Sequence, residues 1–195
     1  KHLFLVGIIL SVALIIIATS MYPGGSPNDV SSHDFSWQHN YFCNLFDKNA
    51  INGQHNHSRP YAIAGIFFMC LSFLVFFYQT SIKLGKQSGQ KIVRYVGCSG
   101  MMFAFFAVTP LHDTAINISN FLCLISILYI LVFLIKTRQK SLLWLSVFLM
   151  LMSYITIFIY YSGYYISYLP IMQKLTFILM IVWALSINYT MKAEG

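Results

Sequence analysis

The side chains best suited to chemistry lie in one long polar segment, residues 22–59, and in one short turn, residues 109–113. The long segment holds four of the six histidines and three of the five carboxylates, and the turn adds His112 and Asp113. Imidazole and carboxylate groups at a membrane boundary can transfer protons or bind a polar ligand. We therefore take His112 and Asp113 as the candidate catalytic residues.

A polar stripe continues from this turn into the next apolar run. Asp113, Asn117 and Asn120 recur at helical spacing, and Lys174 lies about one turn inside the last apolar run. Unpaired charges in such surroundings cost several kcal/mol, so these groups should be paired or face a wet cavity. Together with His112 they predict an outward polar pocket for a lipid headgroup or small amphiphile. The alternative is that Asp113 caps a helix and Lys174 extends to the surface.

A metal site is a second hypothesis, because several histidines share one side of the predicted bundle and imidazole binds zinc. The candidate ligands are His33, His39, His55, His57 and His112. Their spacing contains no HExxH or similar zinc motif. We expect no cofactor and keep zinc as the alternative, in which a metal-dependent hydrolase would act on lipid at the outer leaflet with Asp113 as general base.

Nucleophilic catalysis is a weaker hypothesis at this stage. Cys43 near His39, and Ser58 near His57, are sequence neighbours, but a catalytic triad is defined by geometry. The other cysteines fall inside apolar runs, where a thiol packs as a small hydrophobe: Cys70, Cys98 and Cys123. The pattern therefore predicts no disulfide framework.

Composition identifies the class of protein. Hydrophobic residues make up 58% of the 195 positions and charged residues 9%, whereas soluble domains carry about 25% charged residues. A helix of about 20 apolar residues crosses roughly 30 Å of hydrocarbon. Runs of this length occupy approximately 3–20, 61–82, 92–111, 115–135, 142–162 and 168–190. The sequence predicts an all-α, polytopic six-transmembrane-helix bundle forming one membrane domain over residues 1–195.

The distribution of lysine and arginine predicts the orientation. These residues cluster in alternate short connections and at the termini, which predicts cytoplasmic termini and outward connections at 22–59, 109–113 and 162–167. Topology accounts for the net charge of +7, so we expect no nucleic-acid partner. The expected partners are membrane lipid and other membrane proteins, and the expected location is the bacterial inner membrane.

Two further features concern packing. Aromatic and aliphatic residues in the outward loop predict a short interfacial helix capped by Ser32 or Asp34, with apolar positions at Phe35, Phe42, Leu45 and Phe46. The small-residue run Gly97-Cys-Ser-Gly100 would let another helix approach closely. That face and the aromatic rim favour a third alternative, a structural subunit of a larger membrane complex.

The order of short motifs resembles a family of bacterial membrane proteins. Tyr22-Pro-Gly, the segment 40–45, the turn 109–113 and Gln173-Lys174 are similar to domain-of-unknown-function family 998. This resemblance implies a six-helix inner-membrane protein and no particular mechanism. Membrane hydrolases related to alkaline ceramidases and adiponectin receptors are a second comparison. This chain departs from them, with six spans rather than seven and no histidine in its last two spans.

Overall fold

Six long helices dominate the structure. It is a computed structural model that describes residues 2–85 and 88–193. The helices are α1 (His2–Ser20), α2 (Arg59–Lys83), α3 (Ser88–Phe105), α4 (His112–Lys136), α5 (Lys140–Ser162) and α6 (Leu169–Thr190). Six helical segments are long and apolar enough to cross a membrane. The predicted all-α six-helix fold is confirmed, and the chain is an integral membrane protein.

The third span shows the largest difference from its predicted limits of 92–111. The α-helix ends at Phe105, and a 3-10 turn, Phe106–Val108, follows it. Thr109 then takes an extended conformation with φ −108° and ψ 170°. Because the ring of Pro110 disfavours helical geometry in the residue before it, the helix has to end early. The turn that carries His112 is therefore fixed by local backbone chemistry.

Consecutive helices pack side by side around an aromatic core. α2 lies between α1 and α3, α3 packs on α4, and α5 packs on α6. The rings of Phe76 in α2 and Trp183 in α6 meet edge to face with centroids 5.2 Å apart. The indole Nε1 of Trp183 also donates a hydrogen bond of 2.8 Å to Ser146 Oγ in α5. A contact between aromatic rings thus joins α2, near the beginning of the chain, to α6.

The small-residue run in α3 is used inside the chain. A Cβ added at Gly97 would lie 2.6 Å from ring carbons of Phe77 in α2, and one at Gly100 would lie 2.9 Å from Cys123 Sγ in α4. The close helix approach predicted from these glycines is therefore made by α2 and α4 of the same chain. The structural-subunit alternative loses the face on which it partly depended.

The segment between α1 and α2 folds into a layer, residues 22–58, which we call the loop layer. Its apolar residues Tyr22, Phe35, Leu45 and Ala50 form a separate cluster with Ala18 of α1 and Ala62 of α2. Its short helix is a 3-10 helix at Phe42–Phe46. The predicted cap at Ser32 or Asp34 is wrong, because this helix begins at Phe42 and Tyr41 occupies its N-cap position. We call the end of the molecule that carries the loop layer the loop end, and the opposite end the basic end.

Candidate functional site

Helix α6 holds the loop layer in place at the loop end. The Phe42 N–H donates a hydrogen bond of 3.1 Å to Gln173 Oε1. The Lys174 ammonium donates to Asn40 O at 2.5 Å and to Pro170 O at 3.0 Å. These contacts fix residues 40–43 against the start of α6.

Lys174 is a buried cation, and no carboxylate of the described residues forms a hydrogen bond with it. Its Nζ lies 5.6 Å from the ring centroid of Phe35 and 5.4 Å from that of Phe42. Carbonyl oxygens and aromatic faces therefore compensate its charge. Both sequence alternatives, extension to the surface and pairing with Asp113, differ from this arrangement. Lys174 supports the loop layer from beneath.

Two buried asparagines fix the rest of the loop layer. Asn56 Nδ2 donates to the carbonyl oxygens of Asn44, Leu45 and Asp47, and its Oδ1 accepts from the Ser58 N–H. The second, Asn40, donates from Nδ2 to Gly25 O at 2.8 Å, and its Oδ1 accepts from Ser36 N. Buried amides with satisfied hydrogen bonds select one backbone conformation.

This scaffold brings a thiol, an imidazole and a carboxylate into one hydrogen-bonded chain, which we call the Cys-His-Asp array (Cys43, His112 and Asp113). Cys43 Sγ lies 2.9 Å from His112 Nε2, and His112 Nδ1 lies 3.0 Å from Asp113 Oδ1. A carboxylate only accepts, so the Nδ1–H donates to Asp113 and Nε2 is left to accept the thiol proton.

The array is open to solvent on one side. The His112 side chain is 33% exposed and that of Asp113 is 74% exposed, while Cys43 is half-buried. Gln173 Nε2 lies 3.7 Å from Cys43 Sγ, with the amide oriented by the Phe42 N–H. A side-chain N–H donor therefore stands beside the sulfur atom.

A second carboxylate, that of Asp47, lies near the array. Burial raises the pKa of Asp47, while the nearby charges of His112 and Arg59 act in the opposite direction. Burial likewise raises the pKa of the Tyr41 phenol, two residues before the thiol. The immediate surroundings of the array thus remove it in part from bulk water.

The asparagine stripe lies on the outside of α4, beyond the array. Asn117 Oδ1 accepts a hydrogen bond of 2.8 Å from the Tyr161 hydroxyl, which ties α4 to the end of α5. Asn120, nearly one turn further along, is exposed. Of the predicted ligand-binding set, His112 and Asp113 are joined, Asn117 and Asn120 lie beside them on α4, and Lys174 lies beneath the loop layer.

The loop histidines lie apart from His112. His39 Nδ1 is 3.1 Å from Asn28 Nδ2, and the rings of His55 and His57 are 5.0 Å apart. His33 pairs with Gly24 in a short antiparallel bridge. Within residues 2–85 and 88–193, no three His, Cys, Asp or Glu side chains are placed to hold a metal ion. The zinc hypothesis gains no support from this geometry.

Comparison with known proteins adds no functional information to the geometry described above. No protein-family model, no curated protein and no solved structure matches the chain. The resemblance to family 998 stays a prediction.

The sequence did not predict the contact between Cys43 and His112. The two neighbour pairs considered there are not formed, because His39 contacts Asn28, and Ser58 Oγ donates to Asn56 Oδ1. One feature of the sequence did indicate that the two segments are close. The distribution of lysine and arginine assigned 22–59 and 109–113 to the same side of the bundle. It predicted a shared surface and could not identify the partner of the thiol.

Proposed function

We propose that the loop end is a thiol-dependent acyl-transfer site that takes its acyl group from an amphiphile at the outer surface of a bacterial inner membrane, with both termini cytoplasmic. The Cys-His-Asp array carries the proposal. A nucleophile within hydrogen-bond reach of a base, with the base oriented by a third group, is the arrangement that covalent catalysis uses.

The reaction begins with proton transfer from the Cys43 thiol to His112 Nε2. The sulfur then attacks the carbonyl carbon of an ester or thioester, and the C–S bond forms as the carbonyl π electrons move to oxygen. Collapse of this intermediate breaks the bond to the leaving group, which takes the proton from His112. An acyl thioester remains on Cys43, and water or an acceptor hydroxyl, deprotonated by His112, resolves it.

Two neighbours favour this chemistry. Asp113 holds the imidazole in the tautomer that leaves Nε2 free, and it stabilises the imidazolium that forms. The Gln173 amide, 3.7 Å from the sulfur, is the nearby donor suited to the developing oxyanion. An N–H oriented in advance towards that oxygen stabilises the transition state more than the ground state.

The location favours an amphiphile as substrate. The array lies at the end of six membrane helices, beside a rim of exposed tyrosines: Tyr160, Tyr161, Tyr164, Tyr165 and Tyr168. Tyrosine is enriched at the membrane interface, where lipid headgroups lie. A molecule anchored in the outer leaflet by its acyl chain would present its ester carbonyl near that depth.

The test is covalent trapping. The purified chain in detergent is mixed with a p-nitrophenyl ester of a medium-chain fatty acid, and acylation is followed by intact-mass spectrometry and p-nitrophenol release. We expect a hydroxylamine-sensitive adduct in the wild type, no adduct in Cys43→Ala, and acylation about 100-fold slower in His112→Ala, the lower end of the usual general-base contribution.

Cys98→Ser is the matched control, since Cys98 lies within α3 and donates to Leu74 O. It should acylate like the wild type. Equal acylation of Cys43→Ala and the wild type would overturn the proposal. Retention of the ester without an adduct or p-nitrophenol release would instead favour the non-enzymatic alternative, in which the site binds a lipid headgroup or amphiphile without chemistry.

A further inference from the structure

The basic end contains a cavity that the proposed function does not use. It lies between the α4–α5 connection and the end of α6, and it has a volume of about 330 Å³. Its polar lining includes Thr137, Arg138, Lys140, Ser141, Thr190 and Lys192. Three cations from two separate parts of the chain therefore border one concave surface.

Hydrogen bonds to the backbone build this cavity. The Lys192 N–H donates to Gln139 Oε1 at 2.9 Å, and Gln139 Nε2 donates to Lys192 O at 3.3 Å and to Thr137 Oγ1 at 2.8 Å. Arg138 adopts a left-handed conformation with φ 55°, which turns the chain sharply between α4 and α5. One glutamine thus fixes the end of α6 to that turn, and the cavity is a formed part of the fold.

Among the described residues, the charged side chains at this end are all positive. The carboxylates of the described residues are Asp29, Asp34, Asp47 and Asp113, and all four lie at the loop end. In the described part of the chain, no carboxylate forms an ion pair with Arg138, Lys140 or Lys192. Their side chains are exposed, so the positive potential of the cavity is open to an anion from outside.

A phosphate group is the anion that fits these donors. A guanidinium binds two phosphate oxygens through parallel N–H bonds, and ammonium groups supply point charges around the remaining oxygens. Ser141 belongs to the same lining, and its hydroxyl is a further donor. Basic recesses between membrane helices are also places where anionic headgroups bind.

We infer that this cavity binds a phosphate group, carried by an anionic phospholipid headgroup or by a soluble phosphate compound. The inference concerns the end of the molecule opposite the Cys-His-Asp array, and it does not depend on the proposed acyl transfer. The cavity walls come from the ends of α4, α5 and α6, so an occupant there would also hold these three helices together.

The experiment titrates fluorescent phosphatidylglycerol into the purified chain in neutral detergent. Lys140→Gln combined with Lys192→Gln removes two cations of the cavity. Lys91→Gln combined with Lys136→Gln removes the same charge from exposed positions outside the cavity lining. At about 1 kcal/mol for each cation near an anionic lipid, the cavity pair should weaken binding about 25-fold. The control pair should weaken it by clearly less.

Two further ligands identify the source of the phosphate. Inorganic phosphate is added in large excess, with sodium chloride at matched ionic strength as its comparison. Displacement of the lipid by phosphate but not by chloride points to soluble phosphate compounds, and the absence of displacement points to the phospholipid headgroup.

Two results would overturn the inference. One is an equal loss of phosphatidylglycerol binding in the cavity pair and the control pair, which would show diffuse attraction to the whole basic end. The other is binding of phosphatidylcholine as tight as that of phosphatidylglycerol. The melting temperature of each variant, measured without lipid, shows whether the fold has been retained.

Discussion

The helical bundle and the loop layer are held together by different interactions. In the bundle, buried rings such as Phe76 and Trp183 pack against each other, and the helices satisfy their own backbone. In the loop layer the backbone is irregular, and the side-chain amides of Asn40 and Asn56 satisfy it. The position of the Cys43 thiol therefore depends on a few amide hydrogen bonds, and the position of its imidazole partner depends on the start of α4.

Several substitutions test this difference between the bundle and the loop layer. The largest loss of stability is expected in the bundle. Phe76 is fully buried and touches the rings of Phe4, Phe73, Phe77 and Trp183. Phe76→Ala should destabilise the protein by about 3 kcal/mol through lost packing and a new cavity. Thermal unfolding in detergent measures this change.

The control is Phe121→Ala, at a ring that is 65% exposed. This variant should melt close to the wild type. Below the melting transition, Phe76→Ala should leave the alkylation rate of Cys43 unchanged. A faster rate there would show that the two regions are one cooperative unit and would break the comparison.

The second effect is expected in the loop layer. Asn56→Ala leaves the carbonyl oxygens of Asn44, Leu45 and Asp47 without this donor. The expected local destabilisation is about 2 kcal/mol, because buried polar groups would lose their partner. Opening of the layer should then be about 25-fold more frequent, and proteolysis of residues 22–58 in reconstituted vesicles measures it.

Asn28→Ala is the matched control, since Asn28 is exposed and contacts His39 only at the surface. It should be cleaved at nearly the wild-type rate. If Asn56→Ala lowered the melting temperature of the bundle as much as Phe76→Ala does, the proposed separation between the two regions would fail.

The third effect concerns the junction of the two regions. Lys174→Met keeps the length and apolar contacts of the side chain but removes the hydrogen bond to Asn40 O. We expect about 1.5 kcal/mol of loop destabilisation, less than for Asn56→Ala because the Phe42 N–H still reaches Gln173. Cys43 alkylation should accelerate, whereas Lys192→Met at the basic end should leave it unchanged. No acceleration would show that Lys174 does not hold the layer.

The smallest effect is a pH dependence of the loop layer. Hydrogen bonds from the Ser31 hydroxyl and N–H lower the pKa of Asp29 from its ordinary value of 3.8. Because the folded pKa is the lower one, its stabilisation is present above the unfolded pKa and is lost as the pH falls through the folded pKa. The rate of proteolysis of the loop layer is measured as a function of pH with an acid-stable protease. Asp29→Asn should reduce the increase of this rate at low pH, which is the acid limb of the curve. Ser31→Ala should reproduce part of this change, and an unaltered acid limb in both would contradict the assignment.

The bundle was predictable from the sequence because each helix requires about 20 apolar residues and leaves that pattern in the chain. The helix ends were less predictable, as the early end of α3 before Pro110 shows. The loop layer was not predictable in detail. Asn56 contacts carbonyls nine to twelve residues away through turns that follow no period.

The candidate site was predictable in part for the same reason. His112 and Asp113 were identified because they stand at a span boundary. Their partner Cys43 was not identified, because its contact with His112 depends on the loop layer. Lys174 was predicted to reach the surface or pair with a carboxylate, but its carbonyl and aromatic partners come from a loop whose conformation no local pattern specifies.

The anchoring of the loop layer by α6 has a consequence for biosynthesis. Residues 40–43 leave the ribosome well before Gln173 and Lys174, which hold them and lie more than 130 residues later in the chain. Until α6 has entered the membrane, the thiol lacks the support that holds it beside its imidazole. A chain stalled before α6 would therefore carry Cys43 without this support, and the Cys-His-Asp array would form only once α6 has been made.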